Sequence, residues 1–349
     1  MNMQVRKVIW LLFLATTSIG PIGAASGARY EGKFIDAHNQ FGCDSRVEDI
    51  QRLLKESSVD FTLLSARRPC DNDNPFDAHQ RVLDVIEALP DKVGLILSTK
   101  IGGSGGVANR AHRTLLRAEK ELAPKAYGYA EILVQHHETD DQNSEFKGLR
   151  MQLSSPEILR TIEVVMRSKK PLVLHLEPRD HPEMADEALR QLDEFLAKVS
   201  PYPVFLIHLG QLTSDQAELF LKRHENLNLI LSTVEPFAQR GIARRHSVGE
   251  TAQSGWVNIF EDDGQNFRRK NFESWASSVA MRPQWRRLLE AFPDRFVIGI
   301  ESVYAKPWLD VYLFKVNFWR YALHKLPSEV SKKIACENAV RHWALPLKC

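Results

Sequence analysis

The feature that most constrains the fold of this chain is a repeated pattern after residue 30, in which a short apolar run precedes an amphipathic stretch. Buried parallel strands that alternate with crossover helices produce this pattern. Eight runs fit strands: Lys33–His38, Val59–Ala66, Val93–Ser98, Gly128–Val134, Pro171–Leu176, Val204–His208, Leu227–Ser232 and Phe296–Glu301. Helical patterns lie between them at Val47–Glu56, Asp77–Leu89, Ala108–Leu122, Pro156–Ser168, Glu183–Val199, Thr213–Arg223 and Arg282–Phe292. In a chain of 349 residues this alternation favours one closed (β/α)8 barrel, a TIM-type α/β fold, over an open doubly wound sheet.

The first 28 residues have the composition of a secretion signal. Arg6 and Lys7 precede an apolar stretch and then a segment of small residues, which is typical of a signal peptide with its cleavage site. The apolar stretch is too short to span a hydrocarbon core of about 30 Å, and no later run is long enough to do so. We therefore predict a signal peptide over 1–28, one barrel domain over 29–349, no membrane span in the mature chain, and an exported protein that is periplasmic or secreted.

The composition excludes several classes of protein. With 44% hydrophobic and 26% charged residues, the chain can bury a large core and is not disordered. The net charge of +2 comes from Arg6 and Lys7, so the rest of the chain is balanced and no nucleic-acid partner is expected. The glycine-rich segment Gly102–Gly106 lacks the spacing of a nucleotide-binding fingerprint. A small-molecule substrate is the expected partner, and the sequence leaves open whether the chain forms a homo-oligomer.

Ionisable residues interrupt the predicted strands near their carboxyl ends. They are His38, Glu131, His175, His208 and Glu301, in the first, fourth, fifth, sixth and eighth predicted strands. In a closed barrel these ends surround one spot, where catalytic groups of such barrels lie. Any one of these histidines alone would more often be a hydrogen-bonded core residue. Together, the five residues predict a functional site at the carboxyl ends of the strands.

Imidazole and carboxylate groups are ligands for Zn²⁺, Mn²⁺ or Fe²⁺, of which we expect Zn²⁺. An ion with an open position lowers the pKa of bound water to about 7 and supplies hydroxide at neutral pH. Glu301 is the predicted base that takes the proton of this water, and His208 is a predicted catalytic residue and ligand. The pattern thus favours metal-assisted hydrolysis.

These segments resemble the amidohydrolase superfamily, in particular its amidohydrolase-related branch. The resemblance rests on FIDAHNQ, PLVLHLEP, VFLIHLG and DRFVIGIES, at Phe34–Gln40, Pro171–Pro178, Val204–Gly210 and Asp294–Ser302, and on the C-terminal helix pattern at Leu326–Leu345. Such barrels carry an HxH pair after strand one, a His after strands five and six, and an Asp after strand eight. The resemblance covers nearly all of the mature chain and implies hydrolysis of a small polar amide, ester or lactone.

Two positions depart from the family pattern. Gln40 stands where the second His is expected, and Glu301 stands where the family has Asp. Gln40 is predicted either to ligate weakly through its amide oxygen or to form hydrogen bonds beside the ion. Two alternatives therefore stay open: a metal-free lactonase or decarboxylase-type lyase of the same family, without any cofactor, and a non-catalytic binding barrel.

Other residues are candidates for substrate contact. Glu177 and Arg179 follow the fifth predicted strand, where an Arg can hold a substrate carboxylate through two hydrogen bonds. The segment Gln135–Glu138 either reaches the strand ends or forms a solvated loop. The long connection Thr233–Ser274, after the seventh predicted strand, is expected to determine specificity.

Four cysteines in an exported chain can form disulfides. Cys43 and Cys70 each follow one of two neighbouring predicted strands by a few residues, so their loops should lie side by side. We predict a Cys43–Cys70 pair and a Cys336–Cys349 pair.

Overall fold

The computed structural model describes residues 28–43, 45–67, 75–98, 108–138, 147–180, 182–236, 257–262, 271–302 and 305–349. The predicted signal peptide lies outside the described residues except for its last position, Ala28. The predicted Cys43–Cys70 disulfide also lies outside them, because Cys70 does.

Eight parallel strands form the barrel, and two further strands form a hairpin. The strands are β1 (Ile35–Phe41), β2 (Phe61–Ala66), β3 (Val93–Ser98), β4 (Ala126–Leu133), β5 (Gln135–Glu138), β6 (Lys147–Arg150), β7 (Leu172–His175), β8 (Val204–Leu206), β9 (Leu227–Leu231) and β10 (Phe296–Ile298). Their order in the sheet is β1-β2-β3-β4-β7-β8-β9-β10, while β5 and β6 pair with each other. Just beyond β10, Glu301 N donates to His38 O of β1 at 3.0 Å. The sheet is therefore a nearly closed barrel, and the predicted (β/α)8 fold is confirmed.

Helices follow the strands as the sequence predicts. They are α1 (Val47–Glu56), α2 (Pro75–Ala88), α3 (Ala108–Leu122), α4 (Pro156–Arg167), α5 (Ala185–Val199), α6 (Ser214–Arg223), α7 (Phe272–Ser278), α8 (Pro283–Ala291), α9 (Ala305–His324), α10 (Ser328–Lys332) and α11 (Asn338–Trp343). The seven predicted helices are confirmed, two of them, α1 and α3, with the predicted bounds. Helix α6 begins with a capping box between Thr213 and Gln216, which satisfies two backbone donors of its first turn.

Parts of the predicted specificity connection Thr233–Ser274 lie outside the described residues, which include 233–236, 257–262 and 271–274 of it. Helix α7 already begins at Phe272. In the part of the chain that the structure describes, no helix has the length and apolar character needed to cross a membrane.

The interior of the barrel is apolar at the amino-terminal ends of the strands, and the C-terminal segment closes this end. Ala37, Val173 and Phe205, from three strands, share one buried cluster with Trp343 and Leu345. The ring of Trp343 lies 4.7 Å from that of Phe205. A disulfide between Cys336 and Cys349 cross-links this segment, as the sequence predicts. The amino-terminal end of the barrel is thus a packed core, and the carboxyl ends of the strands, here called the mouth, carry the polar residues.

Candidate metal centre at the mouth of the barrel

Two predicted ligands, His38 and Glu131, lie in irregular strand segments. The register of β1 against β2 shifts around His38, and the register of β4 against β7 shifts around Glu131. Such bulges redirect a side chain that regular alternation would point to the other face. Both side chains are fully buried, and His38 Nε2 lies 2.8 Å from Glu131 Oε1. The bulges therefore bring the two side chains together.

The backbone of the mouth is left-handed at several residues that have side chains. Their φ angles lie between 49° and 57°, and the residues are Glu131, His208, Leu209, Gln211, Thr233 and Glu301. Residues other than glycine adopt this conformation at a cost of about 1 to 2 kcal/mol each. Backbone strain of this kind concentrates at functional sites, where the surrounding structure maintains it. Three of the six are predicted site residues, so the strain coincides with the predicted chemistry.

The first group of potential ligands comprises His38, Glu131 and Glu301. One ligand atom from each lies within 4.8 Å of the others, and all three side chains are buried or nearly so. One imidazole and two carboxylates are a donor set that suits a divalent ion. Two carboxylates so close together in a buried site are costly unless a cation, a shared proton or hydrogen bonds compensate their charge.

Gln40 joins the two carboxylates of this group through its amide nitrogen. Gln40 Nε2 donates to Glu131 Oε1 and, at 3.4 Å, to Glu301 Oε1. Its amide oxygen accepts from Arg67 Nη1 at 2.8 Å. The donors and acceptors around the amide thus fix which end is oxygen. In this arrangement Gln40 makes hydrogen bonds to the carboxylates, the second of the two roles that the sequence allows.

Glu301 faces two environments with its two carboxylate oxygens. Oε1 lies toward Gln40, whereas Oε2 accepts from Thr233 Oγ1 at 2.8 Å and lies 3.2 Å from His208 Nδ1. Ser232 Oγ also lies 3.0 Å from His208 Nδ1. His208 is therefore placed as a partner of Glu301.

His175 belongs to a second group of potential ligands, together with Glu177 and His136. His175 Nδ1 lies 2.9 Å from Glu131 Oε2, and His175 Nε2 lies 3.0 Å from Glu177 Oε1. Among the described residues the three predicted histidines His38, His175 and His208 do not form one group of ligand atoms within 4.8 Å. Glu131 instead links the first group to the second.

Of the two residues predicted to contact substrate, Glu177 is buried beside His175. Arg179 is half-buried and reaches α6: its backbone N donates to Gln211 Oε1 at 2.9 Å, and its Nη2 donates to Gln216 Oε1 at 3.5 Å. The cation is thereby held next to the capping box of α6, at the side of the mouth.

A buried network between β1, β10 and α9 supports the segment that carries Glu301. Asp36 accepts from Ile300 N at 2.8 Å and from Tyr312 Oη at 3.1 Å. Lys315 Nζ donates to Ile300 O at 2.8 Å. Burial raises the pKa of Asp36 to about 7 against the opposing effect of these hydrogen bonds. The residue before Glu301 is thus held at both its backbone N–H and its carbonyl.

A second buried acid, Glu235, lies on the same side of the barrel. Glu235 Oε1 accepts from Trp319 Nε1 at 2.7 Å, and Glu235 Oε2 lies 4.0 Å from Lys315 Nζ. Burial raises the pKa of Glu235, although the charge of Lys315 opposes this effect. Lys315 therefore connects this acid with the carbonyl of Ile300.

Sequence reasoning identifies neither the supporting network nor the burial of His136 beside His175. Asp36 gives a signal that could have been used, since it is an acid inside the apolar run Lys33–His38. Gln135 and His136 are buried in strand β5, so the solvated-loop alternative does not hold for them. His136 stacks on His175 with ring centroids 4.7 Å apart.

No protein-family model matches the sequence, and none of the curated proteins matches it. Solved structures do resemble the fold. A probable 2-pyrone-4,6-dicarboxylic acid hydrolase from Acinetobacter baumannii, with citric acid bound, is 13% identical with a TM-score of 0.51 over 90% of this chain and 100% of that one. A dihydroorotase from Campylobacter jejuni is 13% identical with a TM-score of 0.51 over 93% and 86%. A D-hydantoinase from Thermus sp. is 11% identical with a TM-score of 0.50 over 88% and 70%.

At these sequence identities the likeness shows the fold alone, and it agrees with the (β/α)8 barrel described above.

Proposed function

We propose that the protein is a metal-dependent hydrolase of the amidohydrolase superfamily, which cleaves a small polar amide, ester or lactone. The observation that carries this proposal is the group His38, Glu131 and Glu301, whose ligand atoms lie within 4.8 Å of one another at the mouth of the barrel. The names of the structural neighbours, a hydrolase, a dihydroorotase and a hydantoinase, agree with this reaction class.

The residues present fit a divalent ion. His38 and Glu131 are fully buried, and burying carboxylates is costly unless a cation or hydrogen bonds compensate their charge. His38, Glu131 and Glu301 would hold the ion, with Zn²⁺ expected and Mn²⁺ or Fe²⁺ also suited to nitrogen and oxygen donors. When bound, such an ion lowers the pKa of a coordinated water and polarises the bond to be cleaved.

Glu301 is the proposed general base. Its Oε1 lies on the side of Gln40, and its Oε2 lies 3.2 Å from His208 Nδ1. A carboxylate in this position can accept the proton of the attacking water at one oxygen. Glu301 can then pass that proton to the leaving group, while His208, in contact with the other oxygen, holds the carboxylate in place.

Gln40 and Thr233 position this base. Gln40 Nε2 and Thr233 Oγ1 each donate a hydrogen bond to Glu301, one to each carboxylate oxygen. With one donor at each oxygen, the carboxylate is held in one orientation. Arg179, at the side of the mouth, is the candidate contact for an anionic group of the substrate.

The metal content of the protein tests the first half of the proposal. Protein purified without chelators should contain a transition metal by elemental analysis, and His38→Gln should lower that content. His224→Gln is the matched control, because His224 Nε2 also contacts a carboxylate, Asp193 Oδ1 at 2.7 Å, but lies away from the mouth. Less than about a tenth of an equivalent of metal with activity intact would favour the metal-free lactonase or lyase.

Turnover tests the second half. Purified protein should hydrolyse at least one member of a panel of small amides, esters and lactones, with loss of activity on metal removal and recovery on its return. Saturable binding of panel members without turnover would favour the non-catalytic binding barrel. We also propose that the protein is exported, which cell fractionation of the producing organism would test.

A further inference from the structure

One face of helix α9 carries three buried side chains with polar atoms. Tyr312, Lys315 and Trp319 are spaced by three and four residues, so they lie on the same side of the helix. Lys315 is 6% exposed, and the other two are at most 1% exposed. Lysine is almost never buried to this extent unless its amine is paired, so the groups that Lys315 contacts indicate its role.

Lys315 Nζ lies between a backbone carbonyl and a carboxylate. It donates to Ile300 O at 2.8 Å and lies 4.0 Å from Glu235 Oε2. Glu235 is fully buried, and its other oxygen, Oε1, accepts from Trp319 Nε1 at 2.7 Å. Two side chains of α9 thus contact Glu235, and one of them also holds the carbonyl of Ile300.

The two segments that Lys315 contacts carry the proposed base and one of its hydrogen-bond donors. Ile300 directly precedes Glu301, and Glu235 follows Thr233 by two positions. Thr233 Oγ1 donates to Glu301 Oε2 at 2.8 Å. Lys315 therefore links the backbone segments of both residues that make this hydrogen bond.

Both of these residues have a left-handed backbone, with φ angles of 55° at Thr233 and 52° at Glu301. Residues with a side chain keep this conformation where the surrounding contacts maintain it. The peptide unit before Glu301 is held at both ends, because its carbonyl accepts from Lys315 and its N–H donates to His38 O at 3.0 Å. These two hydrogen bonds restrain the φ angle of Glu301.

We propose that Lys315 is a positioning residue for the general base. It fixes the peptide before Glu301 and the segment after Thr233, so that the carboxylate of Glu301 keeps its contact with the Thr233 hydroxyl. The inference rests on the proposed function, in which Glu301 accepts the proton of water. A displacement of about 1 Å in a catalytic group can lower the rate by about 10²-fold, so a residue that holds the backbone of the base affects turnover through it.

Lys315→Met tests the proposal, because methionine is nearly as long as lysine and has no donor. We expect kcat on the best panel substrate to fall by about 10- to 100-fold, with KM within about twofold of the wild type. A crystal structure of the variant should show Thr233 Oγ1 and Glu301 Oε2 more than about 3.5 Å apart. The matched control is Lys325→Met, since Lys325 is half-buried, directly follows α9 and donates to Val279 O. It should leave kcat and the distance unchanged.

A double variant separates positioning from a loss of stability. Lys315→Met leaves the carboxylate of Glu235 buried without the amine, which destabilises the fold. Lys315→Met combined with Glu235→Gln removes that charge, and the glutamine oxygen can still accept from Trp319. The double variant should regain most of the wild-type melting temperature and keep the low kcat, because the carbonyl of Ile300 still lacks its donor.

Two results would overturn the positioning role. One is recovery of kcat together with the melting temperature in the double variant, and the other is a wild-type distance between Thr233 Oγ1 and Glu301 Oε2 in the crystal structures of the variants. If the wild-type protein turns over no panel member, the proposed function fails, and the crystal structures alone decide. A displaced Glu301 in the variants then supports the role of Lys315, and an unmoved Glu301 rules it out.

Discussion

The two ends of the barrel are built on opposite principles. At the amino-terminal end, Trp343 and Leu345 pack against inward-facing strand residues, and a disulfide fixes the segment that carries them. At the mouth, buried histidines and carboxylates contact one another, and the backbone is left-handed at Glu131 and Glu301. Apolar burial at the amino-terminal end stabilises the folded state, whereas backbone strain and buried charge at the mouth destabilise it.

The apolar packing that stabilises the barrel and the polar residues proposed for chemistry therefore lie at opposite ends of the barrel axis. An end that is already well packed can offset the cost of a strained polar site at the other end. Substitutions at the mouth should therefore affect turnover and metal binding with modest effects on folding, whereas substitutions at the closed end should lower the free energy of unfolding and leave turnover per folded molecule unchanged.

The largest effect is expected for Glu301→Gln at the mouth. The change keeps the shape of the side chain and removes the negative charge that accepts a proton. We expect kcat on the best panel substrate to fall by about 10² to 10⁴ while the melting temperature changes little. Steady-state kinetics and thermal denaturation measure the two quantities.

The matched control is Glu337→Gln at the closed end, where Glu337 forms an ion pair with Lys332 at 2.8 Å on the surface. This variant should keep its turnover. If Glu301→Gln retains full kcat while its melting temperature falls, Glu301 is a structural partner of its neighbours, and the separation of the two ends is wrong.

At the closed end, Trp343→Ala should cause the largest loss of stability. Trp343 is 2% exposed and packs on Phe205. Truncation of a buried Trp typically costs about 3 to 5 kcal/mol, because it removes apolar contacts and leaves a cavity. Urea denaturation measures this loss, and Trp343→Phe should recover part of it. A fall in kcat per folded molecule in Trp343→Ala would show that the two ends are coupled.

The sequence predicts the closed part of the molecule better than it predicts the mouth. The alternation of apolar runs and amphipathic stretches locates all eight barrel strands, and for β3, α1 and α3 it gives the observed bounds. Caps and periodicity are local signals, so one chain is enough to read them. Helix α9 is not among the predicted helices; its buried residues, such as Tyr312, Tyr321 and Ala322, lie on several faces, which weakens the helical pattern.

At the mouth, the sequence identifies which residues gather but not which ones contact each other. Regular alternation along β1 and β4 does not reveal the bulges that redirect His38 and Glu131. His136 lies on β5, which pairs with β6, a strand that begins at Lys147. No local sequence pattern predicts that pairing. Strand pairing and bulges depend on contacts between distant segments. The division of the potential ligands into two groups could therefore be seen only in the three-dimensional structure.

The disulfide at the closed end should contribute somewhat less than Trp343. Cys336 and Cys349 are separated by 13 residues, and the chain-entropy model gives about 3 kcal/mol for closing a loop of about this length. We expect the double variant Cys336→Ser with Cys349→Ser to lose about 2 to 3 kcal/mol in urea denaturation. Unchanged stability would mean that apolar packing alone holds the C-terminal segment in place.

The smallest effect concerns the pH dependence of stability at the closed end. Burial, assisted by the nearby cations Arg341 and Arg295, lowers the pKa of His342 to about 4. In the unfolded chain the pKa of a histidine is about 6.5, so as the pH falls from about 6.5 to 4 the unfolded state binds a proton that the folded state does not. The free energy of unfolding should therefore fall with falling pH in this window, by about 1 to 3 kcal/mol from this residue.

His342→Gln isolates that contribution, because glutamine does not titrate and the carboxylates of the protein remain. Urea denaturation of both proteins at several pH values between about 7 and 4 should give curves that diverge as the pH falls, with the wild type losing more stability. Parallel curves would show that His342 takes up its proton equally in both states. The ring of His342 lies 5.0 Å from that of Phe205, so His342 belongs to the closed end. If the two stability curves diverge while turnover is unchanged, this end contains a titrating group that destabilises the fold at low pH, in addition to the apolar contacts that stabilise it.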